Sequence, residues 1–234
     1  MSRVYHSNTS EDVRGLLDRL IEPGDRMTPS NYREAMFSLG AKFVESYRPM
    51  LAEIQKLLLI CTNEDADFLA EGVLNGLEAI PGLHTSLACF WNERIVTRGT
   101  ASGMKVDMAP IVRRYLEPGE VDAFLVVKSI ISSGCVVRTN IAELVYDLNP
   151  SRILVFAPVI LEGGQAQVSE EFDSNISDRF EFYWFAQDDE KDGENVVPGI
   201  GGQVYERLGL GTKEEKNRYT PNLVKQRRLH PTPH

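Results

Sequence analysis

The chain has 234 residues, 25 Lys and Arg against 34 Asp and Glu, a formal net charge of −9 and 42% hydrophobic residues. At roughly 150 residues per domain this suits one full core with appendages, and the acidity argues against a broad nucleic-acid or anionic-membrane surface, which needs a positive field. No run approaches the roughly 18 apolar residues of a membrane span, and the opening MSRVYHSNTSEDVR lacks an apolar signal core, so a soluble cytoplasmic protein is expected.

Residues 1–10 are polar and read as loose. Residues 11–21 place Val13, Leu16, Leu17 and Leu20 at helical spacing, and Pro23-Gly24 then turns the chain. Thr28-Pro29 opens a second helix with Ala35, Met36, Leu39, Phe43 and Val44 on one stripe. Five apolar runs follow, at 57–61, 86–91, 124–127, 152–161 and 180–186, with a helix expected from about Asp65 to Ile80 and another after 134. Short apolar runs separated by helices predict an α/β fold, a twisted and mostly parallel sheet covered on both faces. The aromatic residues of 180–185 read as strand and core. From Lys213 onward, six Lys and Arg stand against two Glu, roughly +4 on an acidic body. That segment reads as a solvated tail or as an arm toward a neighbouring subunit. Cys61, Cys89 and Cys135 form neither a disulfide framework nor a zinc spacing.

Chemistry concentrates in 124–148. An apolar strand runs to Val127, Ser132-Ser133-Gly134 turns the chain, and Val137, Ile141, Leu144, Val145 and Leu148 mark the buried stripe of a helix. Free N–H groups at such a helix start, reinforced by hydroxyls, suit an anion. The same residues equally serve as a tight turn and N-cap with no ligand. Neither GxxxxGK[ST] nor GxGxxG is present. A second small-residue segment, 194–212, carries Pro198, Gly199, Gly201 and Gly202, glycines that allow a close backbone approach to a flat ligand or a sharp turn. Cys135 at the helix start reads as a reactive thiol or as a small apolar filler. Glu64, Asp65 and Asp67 read as a hard-cation cluster or as a solvated helix start.

Taken together, the two loops resemble the uracil phosphoribosyltransferases of the type I phosphoribosyltransferase fold. KSIISSGCV (128–136) is similar to that family's phosphate loop, D-P-M-L-A-T-G-G-S, and NVVPGIGGQVYERLGLGT (195–212) to its signature Y-I-V-P-G-L-G-D-x-G-D-R-x-F-G-T. Ala157-Pro158 with Glu162-Gly163-Gly164 resembles A-A-P-E-G, and RMTPSNYREAMFSLGAKFVE (26–45) the family's R-T-x-T-x-x-F-R helix. The likeness covers about residues 26–212, leaving an N-terminal extension, 1–25, and a basic tail, 213–234. It implies a small hood above the sheet. It also implies that Ser132, Ser133, Gly134, Cys135 and Val136 hold a 5′-phosphate, while main-chain groups of Val196, Gly201, Gly202 and Gln203 read the base.

Departures from the pattern bear on catalysis. Lys128 stands where the family has an acid for ribose hydroxyls and magnesium, Gly202 replaces another acid, and residues 62–67, with three acids, replace a basic diphosphate loop. Trp91 falls near a family basic position, leaving Arg94, Arg98 and Lys105 as nearby cations. Lys128, Arg98 and Lys105 are the catalytic candidates. The resemblance implies a phosphoribosyltransferase-type enzyme acting on a pyrimidine-like base and a ribose 5-phosphate donor, with magnesium as the one cofactor to consider. The alternatives are a catalytically silent nucleotide-binding protein and a scaffold. Expected partners are a small nucleobase or nucleotide and a second copy in a homodimer, with neither nucleic acid nor membrane.

Overall fold

Residues 2–98 and 105–229 are described in the computed structural model, the side chains of 96–98 and 105–107 excepted. In chain order come β1 (Arg3–Tyr5), α1 (Glu11–Leu20) and α2 (Pro29–Leu51), then β2 (Lys56–Thr62), which runs directly into α3 (Asn63–Asp65). A π-helical turn, Ala66–Ala70, continues into α4 (Glu71–Glu78), followed by β3 (His84–Asn92), the hairpin β4 (Ile95–Arg98) and β5 (Lys105–Met108), and β6 (Ile111–Leu116). Next are β7 (Ala123–Val127), β8 (Ile130–Ile131), α5 (Cys135–Leu148), β9 (Arg152–Leu161), α6 (Gly164–Ser169), α7 (Ser174–Ser177) and β10 (Phe180–Asp188). The hairpin β11 (Glu190–Asp192) and β12 (Asn195–Val197) leads to α8 (Val204–Arg207), α9 (Lys213–Lys216) and α10 (Asn222–Leu229).

The main sheet runs β1-β10-β9-β7-β2-β3-β6, with β8 beside β9. Strands β10, β9, β7, β2 and β3 are mutually parallel, while β1 and β6 close the two edges antiparallel. Numbered along the chain, the five parallel strands lie in the order 2-1-3-4-5. Strand order reverses between β2 and β7, and ligands in open α/β sheets bind outside the carboxyl ends at such a point.

The central strands β2, β7 and β9 bury both faces, whereas β10 is half-buried over Phe180–Trp184. Leu57, Leu59 and Cys61 of β2 join the core under α1, α2 and α4, while Leu58 and Ile60 join the core under α5 to α7. This accounts for the unbroken apolar runs in the sequence. Thr28 caps α2, accepting from Asn31 N–H at 3.3 Å, with Pro29 in the first turn.

Two segments differ from their sequence reading. Residues 3–5, read as loose, pair with β10, because Arg3 docks bidentately on the buried Asp188 at 2.8 Å through both contacts. The segment from Lys213, read as a solvated tail or an arm toward a neighbouring subunit, packs on its own chain as far as described. Leu223 and Val224 are buried, and Asn63 Nδ2 and Trp91 Nε1 donate to the carbonyls of Lys216 and Tyr219 at 2.6 and 2.8 Å. Its positive charge is matched locally by Glu64, Glu78 and Glu117.

Candidate functional site

Gly134 holds φ +70° and turns the chain into α5 as its N-cap, with no side-chain cap. The first bond of the helix joins Arg138 N–H to Gly134 O at 2.9 Å, so the N–H groups of Cys135, Val136 and Val137 have no acceptor within the helix. Beside them, Ser132 Oγ is buried without a hydrogen-bond partner. The turn is tightly built. A Cβ on Gly134 would stand 2.4 Å from Val168 Cγ2, so a side chain there strains the backbone and the packing together.

The second loop is fixed from three sides. Asp188 Oδ2 accepts from Gly199 N–H at 2.8 Å, Tyr32 O–H donates to Ile200 O at 2.9 Å, and Arg207 Nη2 donates to the carbonyls of Leu20 and Glu22 at 2.8 Å. Gln203 Nε2 donates to Asn195 Oδ1 at 2.6 Å, tying its side chain across the base of the turn.

Between the loops lies a cleft with a cavity volume of about 140 Å³ at the carboxyl edge of β7. The structure brings Lys128, Ser132, Ser133, Gly134, Cys135 and Val136 onto one cleft with Val196, Gly202 and Gln203. Gly201 belongs to the same turn but packs elsewhere, since a Cβ on it would meet Leu20 O at 2.3 Å. Arg98 and Lys105 are backbone partners in the β4–β5 hairpin, and their side chains lie outside the described residues. Cys135 is buried. Arg94, Lys213, Lys216, Glu64, Glu194 and Tyr205 complete the charged and aromatic lining. Sequence reading gave Lys213 and Lys216 no place in a site, because only their charge, not their packing, is visible there.

The acids after β2 do not face solvent as a free cluster. Lys128 Nζ lies 2.6 Å from Asp65 Oδ2 and 3.4 Å from Glu64 Oε1, and Lys216 Nζ lies 3.2 Å from Glu64 Oε2. Asp67 accepts from Tyr219 O–H and from the N–H groups of Asn222 and Leu223, at 2.7 and 2.8 Å for the latter two. Each of the three acids is thus already engaged by a donor. Burial works to raise the Glu64 carboxyl, but Lys128 and Lys216 outweigh it and hold the group down at about 2. For Lys128, burial works to lower the ammonium, and Asp65 and Glu64 reverse it and hold it above its ordinary value.

A pH dependence follows. A carboxyl depressed in the folded state contributes stability that is complete above its ordinary value of 4.5 and lost as pH falls toward about 2. The unfolding free energy, followed by circular dichroism, is expected to fall more steeply across that window in the wild type than in Glu64→Gln. Equal slopes would show that Glu64 is not held this way.

Magnesium does not fit these carboxylates as they stand. An ammonium contacts each of them, at Asp65 through Oδ2 with Oδ1 left buried and unpartnered, and no group of three or more His, Cys, Asp or Glu able to hold a metal occurs among the described residues. No helix among those residues is long and apolar enough to cross a membrane.

No protein-family model matches the sequence, and no curated protein matches it. Among solved structures, the chain is similar to adenine phosphoribosyl transferase from Trypanosoma brucei, in complex with AMP, pyrophosphate and ribose-5-phosphate. That likeness has 14% identity and a TM-score of 0.46, covering 80% of this chain and 86% of that one. It is also similar to hypoxanthine-guanine phosphoribosyl transferase from L. donovani, at 13% identity and a TM-score of 0.35, covering 67% and 77%. Purine phosphoribosyltransferase from Pyrococcus horikoshii is a third, at 12% identity and a TM-score of 0.34, covering 68% and 93%.

Proposed function

We propose that the cleft binds a ribose 5-phosphate ester, with the phosphate on residues 132–136 and a pyrimidine-like base against the main chain of Val196, Gly202 and Gln203. The protein on this reading is a divergent, phosphoribosyltransferase-like enzyme that joins a nucleobase to a ribose 5-phosphate donor. One observation carries it: the uncapped start of α5, with its three N–H groups and the unpartnered Ser132 Oγ, shares a cleft with the glycine turn of 196–203. Donors without acceptors beside a helix N-terminus favour an anion, and a rigid backbone edge reads the amide-like pattern of a pyrimidine without ordering side chains.

A second reading, a nucleotide-binding protein without turnover, is favoured by the engagement of Glu64 and Asp65 with Lys128. On either reading, uridine monophosphate binds. Ser132→Ala removes a hydroxyl that makes no bond within the protein, so its thermal midpoint is expected to stay unchanged. Its affinity for uridine monophosphate falls about ten- to a hundredfold, the worth of one hydrogen bond to a charged group. Saturable binding that Ser132→Ala leaves intact would remove the phosphate assignment. Isotopic transfer from phosphoribosyl pyrophosphate to uracil separates the two readings, turnover supporting the enzyme and binding alone the silent protein.

A further inference from the structure

Glu64 and Asp65 sit at the carboxyl end of β2, both almost fully buried, beside a cleft whose other side is an uncapped helix start. Bare carboxylates in that position repel a phosphate ester, and a hard divalent cation is the usual bridge between two such groups. Here the bridge is made by side chains. Lys128 comes from the end of β7, and Lys216 from a segment that joins the site about 150 residues further along the chain than Glu64. Both ammonium groups and Glu64 line the cleft, whereas Asp65 does not. Lys216 is itself fixed, since its carbonyl accepts from Asn63 Nδ2 at 2.6 Å, and Lys128 Nζ also reaches Ser129 Oγ at 3.2 Å. The cations are therefore held in place before any ligand arrives, whereas a free metal has to be recruited with it.

We propose that Lys128 and Lys216 take the place of a divalent cation, so that the cleft binds a sugar phosphomonoester without metal, the C-terminal segment 213–229 supplying the second of the two charges. The proposal rests on the phosphate reading of residues 132–136. It goes further in naming the ligand class, a single phosphomonoester. A magnesium–diphosphate brings its own dication into a cluster whose carboxylates are already matched, and the two ammonium groups repel that ion. Lys213, on the same cleft, adds a third lysine facing the ligand.

Calorimetric titration of the intact protein with ribose 5-phosphate tests this directly, once with EDTA and once with magnesium. Equal affinity is expected. Binding that appears only with magnesium overturns the proposal. Manganese(II) paramagnetic resonance gives a reading that needs no sugar phosphate. The wild-type protein is expected to leave the ion free, while Lys128→Gln takes it up at Glu64 and Asp65. In that variant ribose 5-phosphate affinity falls about tenfold in EDTA, as for loss of a charged partner, and returns with magnesium. Manganese uptake by the wild type, or none by a folded Lys128→Gln, also overturns the proposal. Should Lys128→Gln fail to fold, Lys216→Gln removes one of the two ammonium groups from Glu64, and its ribose 5-phosphate affinity in EDTA is read instead: a fall is expected, and an unchanged affinity overturns the proposal. If the wild type binds no sugar phosphate in either buffer while the lysine variant takes up manganese, the phosphate reading fails and the replacement of a cation by lysine stands.

Discussion

Replacing Asp188 with alanine is expected to lower the unfolding free energy by about 3–5 kcal/mol, the cost of leaving one member of a buried ion pair unmatched. Asp188 is fully buried and accepts from Arg3 Nε, Arg3 Nη2 and Gly199 N–H, all at 2.8 Å. The one carboxylate thus joins the edge strand β1 to the turn that forms one wall of the cleft. Its loss strands a guanidinium whose side chain is 9% exposed and frees the Gly199 amide. Urea denaturation gives the size of the effect, and amide exchange at Gly199 gives its location. Replacing both partners with apolar residues is expected to cost less than Asp188→Ala alone, because no charge is then buried unpaired. A shift within about 0.5 kcal/mol, the range of ordinary surface changes, would show that the pair bears no weight.

Gly72→Ala is the second large effect. A Cβ on Gly72 would lie 2.0 Å from the carbonyl oxygen of Phe37, and one on Gly40 would lie 2.2 Å from that of Leu69. The two glycines let α2 and the helix after β2 approach backbone to backbone. Alanine ordinarily gains about 0.5–1 kcal/mol over glycine inside a helix. Here a carbonyl oxygen cannot move aside as a side chain does, so the helices must separate at about 3 kcal/mol, toward the upper range for overpacking. The sign is therefore destabilising, and the displaced helix is the one that begins at Asn63–Asp65 beside the cleft. Gly15→Ala in α1 is the control. Nothing lies within 4 Å of a Cβ there, and stabilisation by about 0.5–1 kcal/mol is expected. Thermal melts of both variants check the contrast, and a stable Gly72→Ala would mean that the helices have slack.

The central parallel strands were legible because burial on both faces makes them apolar almost without interruption, as in KLLLICT and RILVFAPVIL, and β10 was legible by its aromatic run, FEFYWFA. The edges were not. β1 is three residues, RVY, held by one charged side chain, and β6, IVRRYL, carries two arginines in its middle. The cleft was legible where conformation demands particular residues: Gly134 at φ +70° and the positive-φ glycines of 199–202. Its electrostatics were hidden. Lys128 meets acids 63 and 64 positions away, and Glu64 meets Lys216 across 152 positions. No local pattern of charge distinguishes such partners from surface residues. Composition alone made the segment from Lys213 a solvated tail or an arm toward a neighbouring subunit, yet Asp67 draws three hydrogen bonds from Tyr219, Asn222 and Leu223.

That long reach orders the events of biosynthesis. Glu64 and Asp67 leave the ribosome about 150 residues before Lys216 and Tyr219, an interval of roughly 8–30 s at ordinary elongation rates. Throughout it, the nascent chain can pair β2 with β3 and β7, while Asp67 waits for all three of its donors and Glu64 for one of its two ammonium groups. The body of the sheet is therefore made before the cleft is. Trp91 waits as well, its indole N–H lacking the Tyr219 carbonyl that later accepts it. A chain interrupted shortly before residue 213 holds every strand of the sheet and yet exposes carboxylates and an indole meant for the interior, the kind of surface that quality-control proteases and chaperones engage.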